Sequence, residues 1–263
     1  MTDAELLDAV LDLARRAGEA ILAVYGSELA VQAKEDRSPL TEADLRAHGV
    51  IVAGLAALTP DLPVLSEESA AEPYDVRAGW GRYWLVDPLD GTREFVRRNG
   101  EFTVNIALID GHSPRLGVVY APALDLAYGG GAALGAFRQA GTGGRTPIHV
   151  TVPATRPARV VGSRSHAGES LARFLANLGE HALLSMGSSL KLCLVAEGAA
   201  DVYPRLGPTS EWDTAAAQAV VEGAGGRVTD LAGEPLRYNA KAELLNPHFL
   251  VFGDCGRDWT GYL

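Results

Sequence analysis

The chain has 263 residues, 47% of them hydrophobic, enough apolar mass for one large domain or two modest ones without crosslinks. A formal charge of −10 argues against a protein that grips long nucleic acid by neutralising phosphates, and the two cysteines, Cys193 and Cys255, belong to no CxxC or Cys/His cluster, which argues against a disulfide framework or a zinc site. No apolar run reaches the ~18 residues of a membrane span and no basic leader opens the sequence, so the expected location is cytoplasmic.

Apolar residues at Leu6, Val10, Leu13, Ala17, Ile21 and Val24 predict an amphipathic helix over 3–25, and Thr2 with Glu5 has the spacing of a capping box. Lys34 to Pro39 is polar and turn-rich. A second helix is predicted from Thr41, with Leu45, Ile51, Leu55 and Leu58 on its apolar side. Asp44 falls in its first turn, where the plainer reading is a cap partner for Thr41 that also complements the helix dipole. A short strand then ends at Glu67, followed by an exposed loop through Glu72 and Pro73.

Tyr83 to Val86 reads as a buried strand that Pro88 should end, because proline has no N–H to pair. That places Asp87 and Asp90 at a strand end, with the Leu89 carbonyl between them. Together they offer the hard oxygen ligands that Mg²⁺ prefers. Gly91 and Thr92 lead into Phe95 and Val96, so free N–H groups of a helix start could face an anion beside the metal. Taken alone, Asp-Pro-Leu-Asp-Gly reads equally well as an ordinary turn.

Phe102, Val104, Ile106 and Leu108 alternate with Thr103, Asn105 and Ala107, and Leu116–Tyr120 and Leu126–Tyr128 follow, which predicts helices packed on a meandering antiparallel sheet. The Gly129–Gly131 and Gly141–Gly144 clusters suggest hairpins and then a linker. From about residue 158 strands and helices alternate, the pattern of an α/β half. The expected division is 1–145, an α+β metal-binding half, and 146–263, an α/β substrate-binding half.

Two-metal hydrolysis needs carboxylates that bridge cations, and Glu67, Asp87, Asp90 and Asp213 could supply that set across a cleft between the halves. For Asp213 the plainer reading is helix capping. Gly187-Ser188-Ser189-Leu190-Lys191 precedes a helix and reads either as a cap or as a phosphate seat. Arg205 could add a forked cation, while His166, in Ser163-Arg164-Ser165-His166, reads more plainly as a surface residue. No GxSxG elbow, Walker loop or dinucleotide fingerprint is present.

Glu67-Glu68, Asp87-Pro88-Leu89-Asp90-Gly91-Thr92 and Trp212-Asp213-Thr214-Ala215-Ala216, in this order, resemble the motifs of the lithium-sensitive inositol monophosphatase superfamily. Glu94-Phe95, Arg97 through Asn105, Ser163 through His166, Gly187 through Lys191 and Leu245-Asn246-Pro247 look like its bacterial CysQ-type 3′(2′),5′-bisphosphate nucleotidases. The resemblance implies an αβαβα sandwich that removes the 3′-phosphate of 3′-phosphoadenosine 5′-phosphate, giving AMP and clearing an inhibitory by-product of sulfate assimilation. It implies two or three Mg²⁺ ions held by Glu67, Asp87, the Leu89 carbonyl, Asp90 and Asp213. It also implies that Asp44 and Thr92 orient or deprotonate the attacking water, against the capping reading of Asp44. The Gly91 and Thr92 N–H groups would hold the scissile phosphate, and His166, Ser188, Lys191 and Arg205 the nucleotide. Inositol monophosphatase or fructose-1,6-bisphosphatase activity, and a non-catalytic metal or nucleotide sensor, are the rival readings. A homodimer and peripheral attachment to the cytoplasmic membrane face stay open.

Overall fold

The structure, a computed structural model, describes residues 1–25, 31–33, 39–70, 72–163 and 168–263; the turn expected over 34–39 lies mostly outside them. The chain opens with α1 (Asp3–Tyr25), β1 (Val31–Ala33), β2 (Pro39–Thr41) and α2 (Glu42–Leu58). Then come β3 (Val64–Ser66), the single turn α3 (Tyr74–Arg77), β4 (Arg82–Asp90), α4 (Thr92–Val96), β5 (Thr103–Asp110), β6 (Ser113–Ala121), β7 (Leu126–Gly131), β8 (Gly135–Ala140) and β9 (Thr146–Pro147). The remainder is β10 (Ala158–Ser163), α5 (Glu169–Leu178), β11 (His181–Met186), α6 (Leu190–Ala196), β12 (Val202–Arg205), α7 (Ala215–Gly223), β13 (Arg227–Asp230) and β14 (Phe249–Phe252).

The capping box closes as the sequence suggests: Thr2 N–H donates to Glu5 Oε2 at 2.8 Å, and Glu5 N–H to Thr2 Oγ1 at 3.3 Å. In α2 the buried face is Ala43, Asp44, Ala47, Ile51 and Leu55, and Leu45 is 48% exposed. Of the expected apolar side, Ile51 and Leu55 are buried and Leu58 packs against the core, and Leu45 alone is misassigned. Successive residues turn by about 100°, and the Ala47–Ile51–Leu55 stripe carries Asp44 inward and Leu45 out.

β3 to β9 form a seven-stranded sheet in chain order, antiparallel except for the parallel β3–β4 pair. Its strands are apolar on both faces because both are covered. Trp84, Val86, Val104, Ile106, Val118 and Tyr120 pack with α1 and α2, whereas the alternate residues Tyr83, Leu85, Ala107, Ile109 and Val119 join the core shared with α6 and α7. The second sheet runs β11-β10-β12-β14-β13, with β10, β11 and β12 parallel and β14 antiparallel to both neighbours. α5 lies on its outer side, where Phe174 packs with Trp259. The layers are thus α1α2, sheet, α6α7, sheet, α5, the αβαβα sandwich expected from the resemblance. Among the described residues no helix is long and apolar enough to cross a membrane.

Two expectations need correction. Pairing does not stop at Pro88: β4 shifts register between Asp87, opposite Asn105, and Asp90, opposite Thr103. The bulge lifts the residue that lacks an N–H out of the ladder, so the strand survives its proline. Gly129–Gly131 forms the end of β7, and the turn of that hairpin is Ala132 to Leu134. β14 went unrecognised in the sequence, although Phe249-Leu250-Val251-Phe252 is a short apolar run of the buried-strand kind.

α7 lies against β6 at a point where Gly117 faces Ala216, and a Cβ on Gly117 would sit 2.4 Å from the Ala216 carbonyl oxygen. Backbone cannot yield there as a side-chain tip can. Gly117→Ala should therefore destabilise the protein by about 1–3 kcal/mol in urea unfolding, and a variant as stable as the parent would contradict this packing.

Candidate active site

Glu67 follows β3 directly, and its N–H donates to the Val86 carbonyl at 3.1 Å, which locks it beside β4. Asp87 is the last residue before the bulge and is 1% exposed; its Oδ1 accepts the Leu89 N–H at 3.0 Å across the bulge. Asp213 lies in the turn entering α7, with its Oδ2 accepting the Ser210 N–H at 2.9 Å. One carboxylate oxygen from each of Glu67, Asp87 and Asp213 lies within 4.8 Å of the others. Three acids distant in sequence thus meet at one point between the sheets.

Asp90 resumes the β4 ladder and reaches the other way, its Oδ2 accepting the Ser189 N–H at 2.6 Å. Gly91 has φ of 86°, a left-handed conformation, and the chain there turns sharply into α4. Thr92 Oγ1 lies 3.5 Å from the Leu89 carbonyl, to which it donates. Ser189 Oγ contacts Thr103 Oγ1 at 2.9 Å and donates to Asn105 Oδ1 at 2.8 Å, so the 187–189 loop is stitched to β5. Lys191 Nζ donates to the Ser188 carbonyl and lies 5.7 Å from the centre of the Tyr203 ring. The Arg205 guanidinium is braced by Thr209 Oγ1 and by the Pro208 carbonyl at 2.7 Å.

Glu67, Asp87, Leu89, Asp90, Gly91, Thr92, Ser188, Lys191, Arg205 and Asp213 all line one cavity of about 270 Å³. Asp44 is fully buried on α2 rather than on the cavity wall, yet its charge acts on Asp87. His166 lies outside the described residues. Reasoning from sequence named Glu101 and Glu94 only within motifs and gave neither a role, although Glu101 Oε2 accepts the Gly187 N–H at 2.7 Å and Glu94 lines the cavity. A Cβ on Gly187 would come within 2.7 Å of Glu94 Cγ and 2.9 Å of the Glu101 carbonyl oxygen. That crowding, not turn preference, is what the glycine in Gly-Ser-Ser-Leu-Lys serves.

Burial pushes the Asp87 carboxyl well above its usual range, and the charges of Glu67, Asp90, Asp213 and Asp44 push it further. Asp213 is raised for the same reasons, burial first and then Asp90 and Glu67. Asp90 is also raised by burial, against the pull of Lys191 and the Ser189 N–H, while burial lowers Lys191. Oxygen donors that repel one another in a desolvated cleft fit a hard divalent cation, whose charge would relieve the repulsion. The donor set holds no histidine or cysteine, which disfavours zinc.

The sequence profile of the inositol monophosphatase family matches residues 3–251, and the chain belongs to that family. Within it, the chain is 54% identical to the 3′(2′),5′-bisphosphate nucleotidase CysQ of Escherichia coli K12, over 94% of this chain and 99% of that protein. It is 38% identical to the CysQ nucleotidase of Haemophilus influenzae, over 97% and 95%. Among solved structures, CysQ from Bacteroides thetaiotaomicron superposes with a TM-score of 0.83 at 42% identity, covering 97% of this chain and 98% of that one. An inositol monophosphatase from Anabaena superposes at 0.76 with 26% identity, covering 98% and 94%.

Acids whose folded-state pKa is raised favour the protonated folded protein, so their stabilising contribution is complete below 3.8 and is lost as pH rises through the folded values. Asp201, lowered to about 2 chiefly by Arg159 and Thr155 against the opposing effect of burial, works in the opposite sense only below 3.8. Metal-free protein should therefore melt at a higher temperature at pH 5.5 than at pH 7.5. Asp87→Asn should flatten that difference and abolish the stabilisation given by Mg²⁺, and thermal melts in EDTA and in Mg²⁺ check both.

Proposed function

We propose that the protein is a Mg²⁺-dependent phosphomonoesterase that removes the 3′-phosphate of 3′-phosphoadenosine 5′-phosphate to give AMP and phosphate. The observation that carries this reading is the convergence of Glu67, Asp87 and Asp213 in a cavity that also holds Lys191 and Arg205. A cavity lined by carboxylates and cations together suits a phosphorylated substrate bound with metal ions. Its curated relatives are bisphosphate nucleotidases along nearly their whole length, which supports the same activity here and a role in clearing a by-product of sulfate metabolism.

Glu67, Asp87, the Leu89 carbonyl, Asp90 and Asp213 would hold two or three Mg²⁺ ions. When bound, these supply positive charge that acidifies a water and neutralises the phosphate and the departing oxygen. Thr92 on the cavity wall and Asp44 buried on α2 would act as the pair that orients or deprotonates the water as it attacks phosphorus in line, with no phosphoenzyme, and the departing 3′-oxygen takes up a proton to leave as the hydroxyl of AMP. The Gly91 and Thr92 N–H groups steady the phosphoryl oxygens. Ser188, Lys191 and Arg205 hold the rest of the nucleotide, and His166 is assigned there on the motif alone.

Phosphate release from 3′-phosphoadenosine 5′-phosphate should need Mg²⁺, and turnover that survives chelation rules the mechanism out. Its kcat/KM should exceed those for inositol 1-phosphate and fructose 1,6-bisphosphate. Asp90→Asn should abolish turnover, and Asp44→Asn should lower kcat by about 10²–10⁴-fold with little change in KM.

A further inference from the structure

Glu67 and Asp87 are placed by strand ladders, but Asp213 stands on a turn, and a turn by itself does not fix a carboxylate to the tolerance a cation demands. What fixes it is the segment around Asn246. We infer that Asn246 is a positioning residue for Asp213, holding the 210–214 turn in the shape that presents its carboxylate to a divalent cation; this rests on the metal-site reading above.

Asn246 Nδ2 donates to the Ser210 carbonyl at 2.9 Å and to Thr214 Oγ1 at 3.0 Å, so one amide group grips the residues on both sides of Asp213. The Ser210 carbonyl can only accept, and this decides which way the amide points. Behind the side chain the two segments are zipped by main chain: Asn246 N–H donates to the Thr209 carbonyl at 2.8 Å, Glu211 N–H to the Leu244 carbonyl at 2.8 Å, and Ser210 bridges Leu245. The Ser210 N–H thus released from the turn is the donor to Asp213 Oδ2. The turn is also held from the opposite side. Glu211 Oε2 accepts the Asn239 N–H at 2.7 Å, and Asn239 exchanges hydrogen bonds with the buried Arg77 from the first half of the chain.

Asn246 does not line the cavity, so its side chain reaches the metal site through the turn it holds rather than by contact. Outer-shell partners of a ligand typically cost about 10–100-fold in metal affinity when lost. The experiment is isothermal titration of Mn²⁺ into substrate-free wild type, Asn246→Ala and Asn246→Asp, with kcat and nucleotide KM measured at saturating Mg²⁺ and Leu245→Ala, an exposed neighbour, as control. The expected result is Mn²⁺ affinity weakened about 10–100-fold in both Asn246 variants, an activity deficit recovered by high Mg²⁺, and KM within about twofold of wild type. Unchanged Mn²⁺ affinity, or a fall in kcat and rise in KM that excess metal does not recover, overturns the inference. If Asn246→Ala does not fold, Thr214→Val, which removes one leg of the grip, is judged by the same criteria. A wild type that binds no Mn²⁺ would instead overturn the metal-site reading.

Discussion

Three carboxylates with oxygens within 4.8 Å of one another repel by roughly 3–4 kcal/mol per pair at an effective dielectric near 20, and nothing in the acids themselves keeps them together. The fold must supply that constraint. It does so with two anchors: Glu67 and Asp87 are held side by side on the β3–β4 pair, Asp87 at the brink of the bulge, and Asp213 is brought to them on a turn gripped from two sides. The opposing cations, Lys191 on α6 and Arg205 at the end of β12, face the same cavity.

Two-sided burial of the first sheet follows from the same need. Its outward face binds α1 and α2, and so holds Asp44 close enough to act on Asp87. Its inward face takes α7 at a separation small enough that Gly117 can carry no side chain, and α7 continues directly from Asp213. Close approach at Gly117 thus fixes where α7, and the turn that carries Asp213 into it, lies against the sheet.

Much of this was legible in the sequence. The acidic motifs stood out because each carboxylate follows an apolar strand or precedes an apolar helix, and alternation in Phe102 to Leu108 announced the sheet. The order of the layers came with the resemblance. What escaped depends on contacts between segments far apart in the chain. Leu45 was assigned inward because apolar character alone was counted, whereas Ala47, Ile51 and Leu55 set the phase. Pro88 was taken as a stop, since a single strand's sequence does not reveal that its neighbour will accommodate a bulge. The pairing of Glu101 with Gly187, and of Asn246 with the Asp213 turn, is not written locally: these residues stand only as parts of motifs, without roles, until partners 86 and 36 positions away are placed beside them.

β14 lies near the middle of the second sheet, between β12 and β13, although it follows both in the chain. During synthesis on the ribosome the strands on either side emerge first and cannot bond to each other across the gap their later neighbour will fill. The 244–252 segment that completes the sheet therefore arrives last, and with it come the residues that grip the Asp213 turn. A chain that ends before that segment holds every acid of the cluster but lacks the contacts that hold the Asp213 turn, so this part of the site forms late in synthesis.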